Sequence, residues 1–356
     1  MRIIYLGFND PRIHVRGTEN VIKAQSEASA SPSYYIFRSR SVEVFRWGNL
    51  VAIGVPFGFF AAAILLRQLA ARIGRKHRCP IVFHGHSYLL SAIASGAPLV
   101  FTIHDGLTYL KRSGGARFLL PFRIIERWVY RRARLIHTIS DYAWSEAEGG
   151  RHHRHKLHLI YNTLAAEPAD VLPVATATDL PEAAQFLVVR GIEERANFEL
   201  VFLFAEYCRD HLPFAVTRVA GKGPLLDLYR AQCETRKLNN LLFLGYVDDA
   251  TLHDLYVTAD CVIMPALYGE GFGLPLIEAY ARGVAAVGSN VCAVPEIIYS
   301  PSLLFENDVS SLISAIRAAR TTPPVSFAGY YKERFSKEKI ISDYRQLYGL
   351  LQSSER

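Results

Sequence analysis

The sequence predicts an α/β protein made of two doubly wound parallel-sheet domains in series. Short apolar runs of strand length alternate with segments of helical spacing along almost the whole chain. Many of the runs end in glycine, histidine or other polar residues, as strands do where their carboxyl ends deliver ligand-binding loops. Residues 166–184 change to Ala, Pro, Thr and Asp without a clear period, the composition of a linker. A chain of 356 residues has room for two ordinary cores, and with 50% hydrophobic residues it is not a disordered one. The expected boundaries are 1–165, a linker at 166–184, a second domain at 185–325 and a closing helical segment at 326–356.

The opening strand, Ile3 to Phe8, leads to a loop containing Arg16 and Gly17, with a helix expected from about Asn20. No G-x-G-x-x-G follows this strand, which counts against a dinucleotide-dependent dehydrogenase. Ile81 to Phe83 runs into His84, Gly85 and His86, and Leu99 to Ile103 runs into His104 and Asp105. Two further strands, Leu135 to Ser140 and His158 to Asn162, complete this half. Between them lies Arg151-His-His-Arg-His-Lys156. Adjacent histidines point in different directions and no carboxylate or thiolate completes a shell, so the segment reads as a solvated basic loop rather than a metal site.

The second half opens with a strand at Phe186 to Val189, followed by Arg190 and, five residues on, Arg195. Val216 to Ala220 ends in Gly221-Lys222-Gly223-Pro224, and Leu241 to Val247 is the next strand. Cys261 to Ala266 then leads to Gly269-Glu270-Gly271-Phe272-Gly273 and to a helix with Pro275 expected as its first residue, where the missing N–H has no partner to lose. Strand, glycine loop and helix together aim backbone N–H groups and the positive end of a helix dipole at one point, the geometry of a diphosphate site. Two carboxylates bracket the loop, Glu270 at its start and Glu278, expected in the first helical turn. Beside an anion they need hydrogen-bond donors, which sugar or ribose hydroxyls supply. Val284 to Ser289 is a further strand, and Lys332 to Gln352 has helical spacing.

The formal charge of +7 points to anionic partners. The five cysteines are scattered without paired spacing, which fits a reducing compartment, and the N-terminus enters a strand without a secretory pattern.

The segment Glu270-Gly-Phe-Gly-Leu-Pro-Leu-Ile-Glu278 resembles the E-x7-E signature of the retaining family 4 glycosyltransferases. Arg16-Gly-Thr-Glu19, the strands at Leu135 and His158, the Arg190/Arg195 spacing and Val294-Pro295-Glu296 resemble other family features in the same order. There are departures: one glycine of the usual pair remains at Gly17, Val189 stands for a glycine, Arg195 for a lysine and Thr163 for a glycine. The resemblance implies a GT-B fold, two Rossmann-like domains facing a central cleft, with the final helix returning to the first domain. It implies a retaining hexosyltransferase that moves sugar from a UDP- or GDP-sugar to a glycan or polyprenyl-linked acceptor, in polysaccharide or glycolipid assembly. Catalytic roles fall to His104, Arg190, Arg195 and Glu270. Gly17, Gly221, Val247, Gly271, Phe272, Gly273 and Glu278 bind the donor, while Arg16, His86 and Asp105 line the acceptor cleft. No cofactor or essential metal is expected, since Asp248-Asp249 lacks D-x-D spacing. A GT-B epimerase, a glycogen-type synthase or a non-catalytic sugar-binding protein are the alternatives. Nucleic-acid binding has no aromatic-basic motif to support it.

Leu50 to Leu66 is a run of seventeen residues without a charge, interrupted by Gly54, Pro56 and Gly58. A strand or turn followed by a buried or interfacial helix is expected there. Arginines and lysines follow it, and a second basic region, 111–134, is interleaved with large apolar residues. These features predict peripheral attachment to an anionic membrane at its cytoplasmic face.

Overall fold

The computed structural model describes residues 2–7, 10–12, 17–29, 32–56, 68–76, 80–84, 99–104, 119–147, 151–168 and 180–353. The chain divides into two compact units, one formed by Met1–Ala165 with Lys337–Arg356 and the other by Ala166–Ser336.

The first unit holds an eight-stranded sheet. Its strands are β1 (Ile4–Leu6), β2 (Ser33–Ser39), β3 (Glu43–Trp47), β4 (Leu50–Pro56), β5 (Ile81–His84), β6 (Leu99–Ile103), β7 (Leu135–Thr138) and β8 (Leu157–Leu159), in the order β3-β4-β2-β1-β5-β6-β7-β8. All pairings are parallel except that of the edge strand β3 with β4. Central strands of such a sheet are covered on both faces, so they read as unbroken apolar runs; Ile4, Tyr5, Leu6, Val100 and Phe101 are fully buried. The first half of the uncharged run is β4, paired along its length with β2. Residues 57–67 lie outside the described residues. Among the described residues no helix is long and apolar enough to cross a membrane.

The helix Gly17–Ala28 begins three residues earlier than expected. Against it packs the last helix, Lys337–Ser353, where Lys337 Nζ meets Glu27 Oε1 at 2.8 Å. Buried polar contacts fix the same helix to the sheet. Tyr5 and Tyr348 hydroxyls are 3.3 Å apart, and His137 on β7 lies edge-on to the Tyr344 ring at 5.2 Å.

The second unit holds β9 (Gln185–Val189), β10 (Val216–Ala220), β11 (Leu241–Gly245), β12 (Cys261–Met264), β13 (Ala286–Ser289) and β14 (Leu304–Phe305). They are all parallel, in the order β11-β10-β9-β12-β13-β14. Counted from β9 this is 3-2-1-4-5-6, the Rossmann order, and it reverses between β9 and β12. Ala184 is fully buried and accepts a hydrogen bond from Val216 N, so the unit is already packed at the end of the expected linker.

Two expectations are corrected at the C-terminal end. The helix expected over 332–352 is two helices, Pro324–Arg334 and Lys337–Ser353, and the crossover between units lies at Ser336/Lys337 rather than at 325/326. The cause is Phe335, fully buried against Phe272 and Tyr330 at ring distances of 6.0 and 5.6 Å. Holding that side chain in the core interrupts the helix, and Ser336 Oγ donates to Lys332 O at 2.7 Å.

Candidate functional site

In an open α/β sheet the crevice at the carboxyl ends of the strands opens where the strand order reverses. Arg190 follows β9 directly and Glu270 follows β12, so the two residues flank that point in the second unit. Arg190 Nη1 donates to Glu270 Oε2 at 2.6 Å, with the arginine side chain only 6% exposed. The other carboxylate oxygen accepts from Phe272 N at 3.3 Å. Glu270 thus already takes up one guanidinium and one loop N–H, the two kinds of donor that a diphosphate would engage.

Arg195 is placed by two acceptors. Its Nε donates to Glu193 Oε2 at 2.9 Å and its Nη1 to Gly269 O at 2.8 Å, while its own carbonyl accepts from Leu267 N. The arginine therefore pins the start of the glycine loop to the β9 side. Gly221 is required by close approach: a Cβ there would lie 1.7 Å from Arg190 O. Its N–H donates to Gly245 O, which ties the ends of β9, β10 and β11 together.

Gly273 caps the helix Leu274–Ala281 at φ 104°, a left-handed conformation open to glycine. Pro275 is the second residue of this helix, not the first. Glu278 is its fifth residue and lies beyond the first turn, which corrects the expected placement; the role of dipole partner in that turn falls to no acidic residue. Instead, Glu278 Oε2 accepts a hydrogen bond from the hydroxyl of fully buried Tyr256. Burial pushes the Glu278 carboxyl above its usual range, against the opposing pull of the Tyr256 hydroxyl and of Arg282. Phe272 is buried, so its side chain belongs to the core and only its backbone serves the loop. Val247 is half-buried between β11 and the helix Asp249–Val257, whose cap is Asp248, accepting from Thr251 N at 2.7 Å.

In the first unit Gly17 opens the helix Gly17–Ala28, and His104 is buried directly after β6. Arg16, His86 and Asp105 lie outside the described residues. The histidine-rich segment Arg151–Lys156 is a short 3₁₀ stretch, and Lys156 has a structural task there. Its Nζ donates to Arg131 O at 2.9 Å and Ala133 O at 2.8 Å, closing the end of the helix Leu119–Arg132. Among the described residues no three His, Cys, Asp or Glu side chains come together as a metal set.

Two family profiles match the chain: Glycosyltransferase Family 4 over residues 26–167 and Glycosyl transferases group 1 over 179–326. Each falls almost wholly within one of the two units. The chain is of the GT-B glycosyltransferase type. Among solved structures, this GT-B chain is similar to sucrose-phosphate synthase from Thermosynechococcus elongatus, with a TM-score of 0.77, 18% identity and 99% of both chains covered. It is also similar to Anabaena HepE in complex with UDP and glucose, with a TM-score of 0.74, 16% identity and 99% and 100% of the chains covered. At such identities the likeness shows the fold. Among curated proteins, O-antigen chain mannosyltransferase B of Escherichia coli is 30% identical over 195 residues, 52% of this chain and 51% of that protein, so the match spans about half of that relative. Glycogen synthase of Mycobacterium tuberculosis is 26% identical over 343 residues, 92% of this chain and 80% of the relative.

Sequence reasoning missed Tyr256. Arg282 had a legible signal, since it stands four residues after Glu278 on one helix face, and its Nη1 donates to Glu278 O at 2.7 Å. Nothing in the spacing of Tyr256 marks it, because its partner comes from a different helix.

Proposed function

We propose that this protein is a retaining, metal-independent hexosyltransferase that takes its sugar from a UDP- or GDP-sugar. The observation that carries the reading is the Arg190–Glu270 pair at the strand-order reversal, with Arg195 fixed to the glycine loop beside it. In the reaction the bond between the anomeric carbon and the diphosphate oxygen breaks, leaving an oxocarbenium-like carbon and negative charge on the departing phosphate. Arg190 and Arg195 are suited to meet that charge, with the end of the helix Leu274–Ala281 behind them. In this reading the acceptor hydroxyl attacks from the face that the diphosphate leaves, and the departing phosphate takes its proton. Glu270 binds sugar hydroxyls while positioning Arg190, Glu278 holds the ribose, and His104 orients the transferred sugar, with Asp105 assigned to the acceptor. Gly17, Gly221, Val247 and the loop 271–273 border the donor, and Arg16 and His86 the acceptor.

The acceptor in this reading is a glycan or polyprenyl-linked saccharide at the cytoplasmic membrane face. Its support is the exposed basic surface of the first unit. Arg127, Arg131 and Arg132 are exposed on the helix Leu119–Arg132, whose Val129 and Tyr130 are buried, and Arg72, Arg75 and Lys76 are exposed on another helical segment. Exposed Ile124 and the Arg132–Trp128 contact at 4.7 Å give the first patch an apolar component. A glycogen-type synthase is the second reading, favoured by the alignment along 92% of the chain; it shares the donor chemistry and differs in the acceptor.

The test is incubation with a panel of UDP-, GDP- and dTDP-sugars, following donor hydrolysis and saturation transfer. Hydrolysis or transfer signals confined to one or two donors are expected. A protein that engages none of them, at any concentration up to the millimolar range of weak donor sites, would overturn the reading.

A further inference from the structure

We infer that Tyr256 is a positioning residue of the donor site and sets the carboxylate of Glu278 for a vicinal diol; this rests on the nucleotide-sugar reading above. Tyr256 lies in the helix Asp249–Val257 that leads from β11 to β12, and its side chain is fully buried. Its hydroxyl donates to Oε2 of Glu278 on the helix Leu274–Ala281. One carboxylate oxygen is thereby committed to the protein, which fixes the plane of the group and presents Oε1 as the acceptor for a ligand.

A third residue completes the arrangement. The Arg282 guanidinium lies 4.9 Å over the face of the Tyr256 ring while donating to Glu278 O. The tyrosine is thus clamped between a cation on its face and an anion at its hydroxyl, and its ring cannot turn without losing one of them. Glu278 is half-buried, and Tyr256 supplies a hydroxyl donor to Oε2 alone, so Oε1 keeps the capacity to accept from a ligand. The chemistry that satisfies the second oxygen without a further charge is a neutral hydroxyl, and the pair of hydroxyls on a ribose supplies it.

The experiment compares Tyr256→Phe with the wild-type protein by calorimetry, using UDP, GDP and their 2′,3′-dideoxy analogues. Loss of one hydrogen bond to a charged group predicts about tenfold weaker binding of the better ribonucleotide. The dideoxy analogue is expected to bind both proteins equally. In a Glu278→Gln background Tyr256→Phe should add nothing. Equal losses for ribo and dideoxy ligands, with a lowered melting temperature, would reduce Tyr256 to a packing residue and overturn the inference. So would unchanged ribonucleotide binding in Tyr256→Phe. A wild-type protein that binds neither UDP nor GDP removes the donor-site reading itself, and this inference with it.

Discussion

Arg190 Nη1 and Glu270 Oε2 stand 2.6 Å apart, one residue from the end of β9 and the other from the loop after β12, so a neutralised ion pair closes the point where the strand order turns. Each partner depends on the other for its placement. Removing one leaves a largely desolvated charge behind, a loss on the order of 3–5 kcal/mol for buried pairs.

Arg190→Ala is therefore expected to lower both stability and turnover, the latter by roughly a hundredfold or more, the scale for a lost electrostatic stabiliser. Combining Arg190→Met with Glu270→Gln removes both charges and should recover much of the stability without the turnover. Urea melts and donor hydrolysis on the same variants read the two effects separately. Wild-type turnover in Arg190→Ala would detach this residue from the leaving group.

Arg195 acts through geometry as well as charge, since its fork serves Glu193 and Gly269 O at once. A lysine can keep the charge but not both contacts. Arg195→Lys should fall between wild type and Arg195→Ala, with Arg195→Ala down by about a hundredfold in turnover. Equal activities of the lysine and alanine variants would show that charge is irrelevant there.

The two glutamates should separate by ligand. Glu278→Gln is expected to weaken free nucleoside diphosphate more than Glu270→Gln does, because the amide oxygen of the latter can still accept from Arg190; Glu270→Gln should act chiefly on the sugar nucleotide. Burial raises the Glu278 carboxyl, so it protonates at a higher pH than a free glutamate, and nucleotide binding should weaken as pH falls through that raised value. Titration calorimetry on both variants across pH decides it; the reverse ranking exchanges or abolishes the roles.

His137 predicts an acid-sensitive fold in the first unit. Its Nε2 faces Ile160 O at 3.0 Å, and because a carbonyl only accepts, that nitrogen carries the proton while Nδ1 accepts from the Thr102 hydroxyl. Burial lowers its pKa to about 4 from 6.5. The unfolded chain thus binds the extra proton first, and stability present above pH 6.5 declines as pH falls towards 4, by on the order of 3 kcal/mol. Urea titrations should show this slope in wild type and a flatter one in His137→Asn. Identical slopes would place the sensitivity elsewhere.

The membrane reading predicts recruitment to anionic liposomes at low salt, with each basic side chain near the surface adding about 1 kcal/mol. Arg127, Arg131 and Arg132 changed together to Glu should abolish flotation and reduce activity on a lipid-linked acceptor, but not hydrolysis of the donor. Failure of the wild-type protein to float at low salt would refute it.

Most of the sheet framework was legible because buried parallel strands are apolar on both faces, and runs such as Leu99 to Ile103 admit few other readings. The Gly269–Glu278 loop was legible too, since a glycine cap and an early proline impose their own backbone. What escaped depends on contacts between distant segments. The break at Phe335 comes from a ring packed against Phe272, and a pattern of helical spacing runs straight through it. Tyr256 meets Glu278 from another helix, and Lys156 reaches carbonyls more than twenty positions away. The position of Glu278 within its helix moved by one residue, past the first turn, because the helix begins at Leu274, ahead of the proline.

The close fit of Gly221 against Arg190 also bears on how this site can diversify. A Cβ at Gly223 would meet Ile192 O at 2.1 Å, so both glycines of the loop after β10 are pressed to the backbone that carries the arginine. Lys222 between them is exposed, its ammonium 4.4 Å over the Tyr246 ring. Variation along this loop is therefore confined to its middle position, and a lineage or a saturation library can alter charge and aromatic stacking there while the flanking glycines keep the arginine where it is.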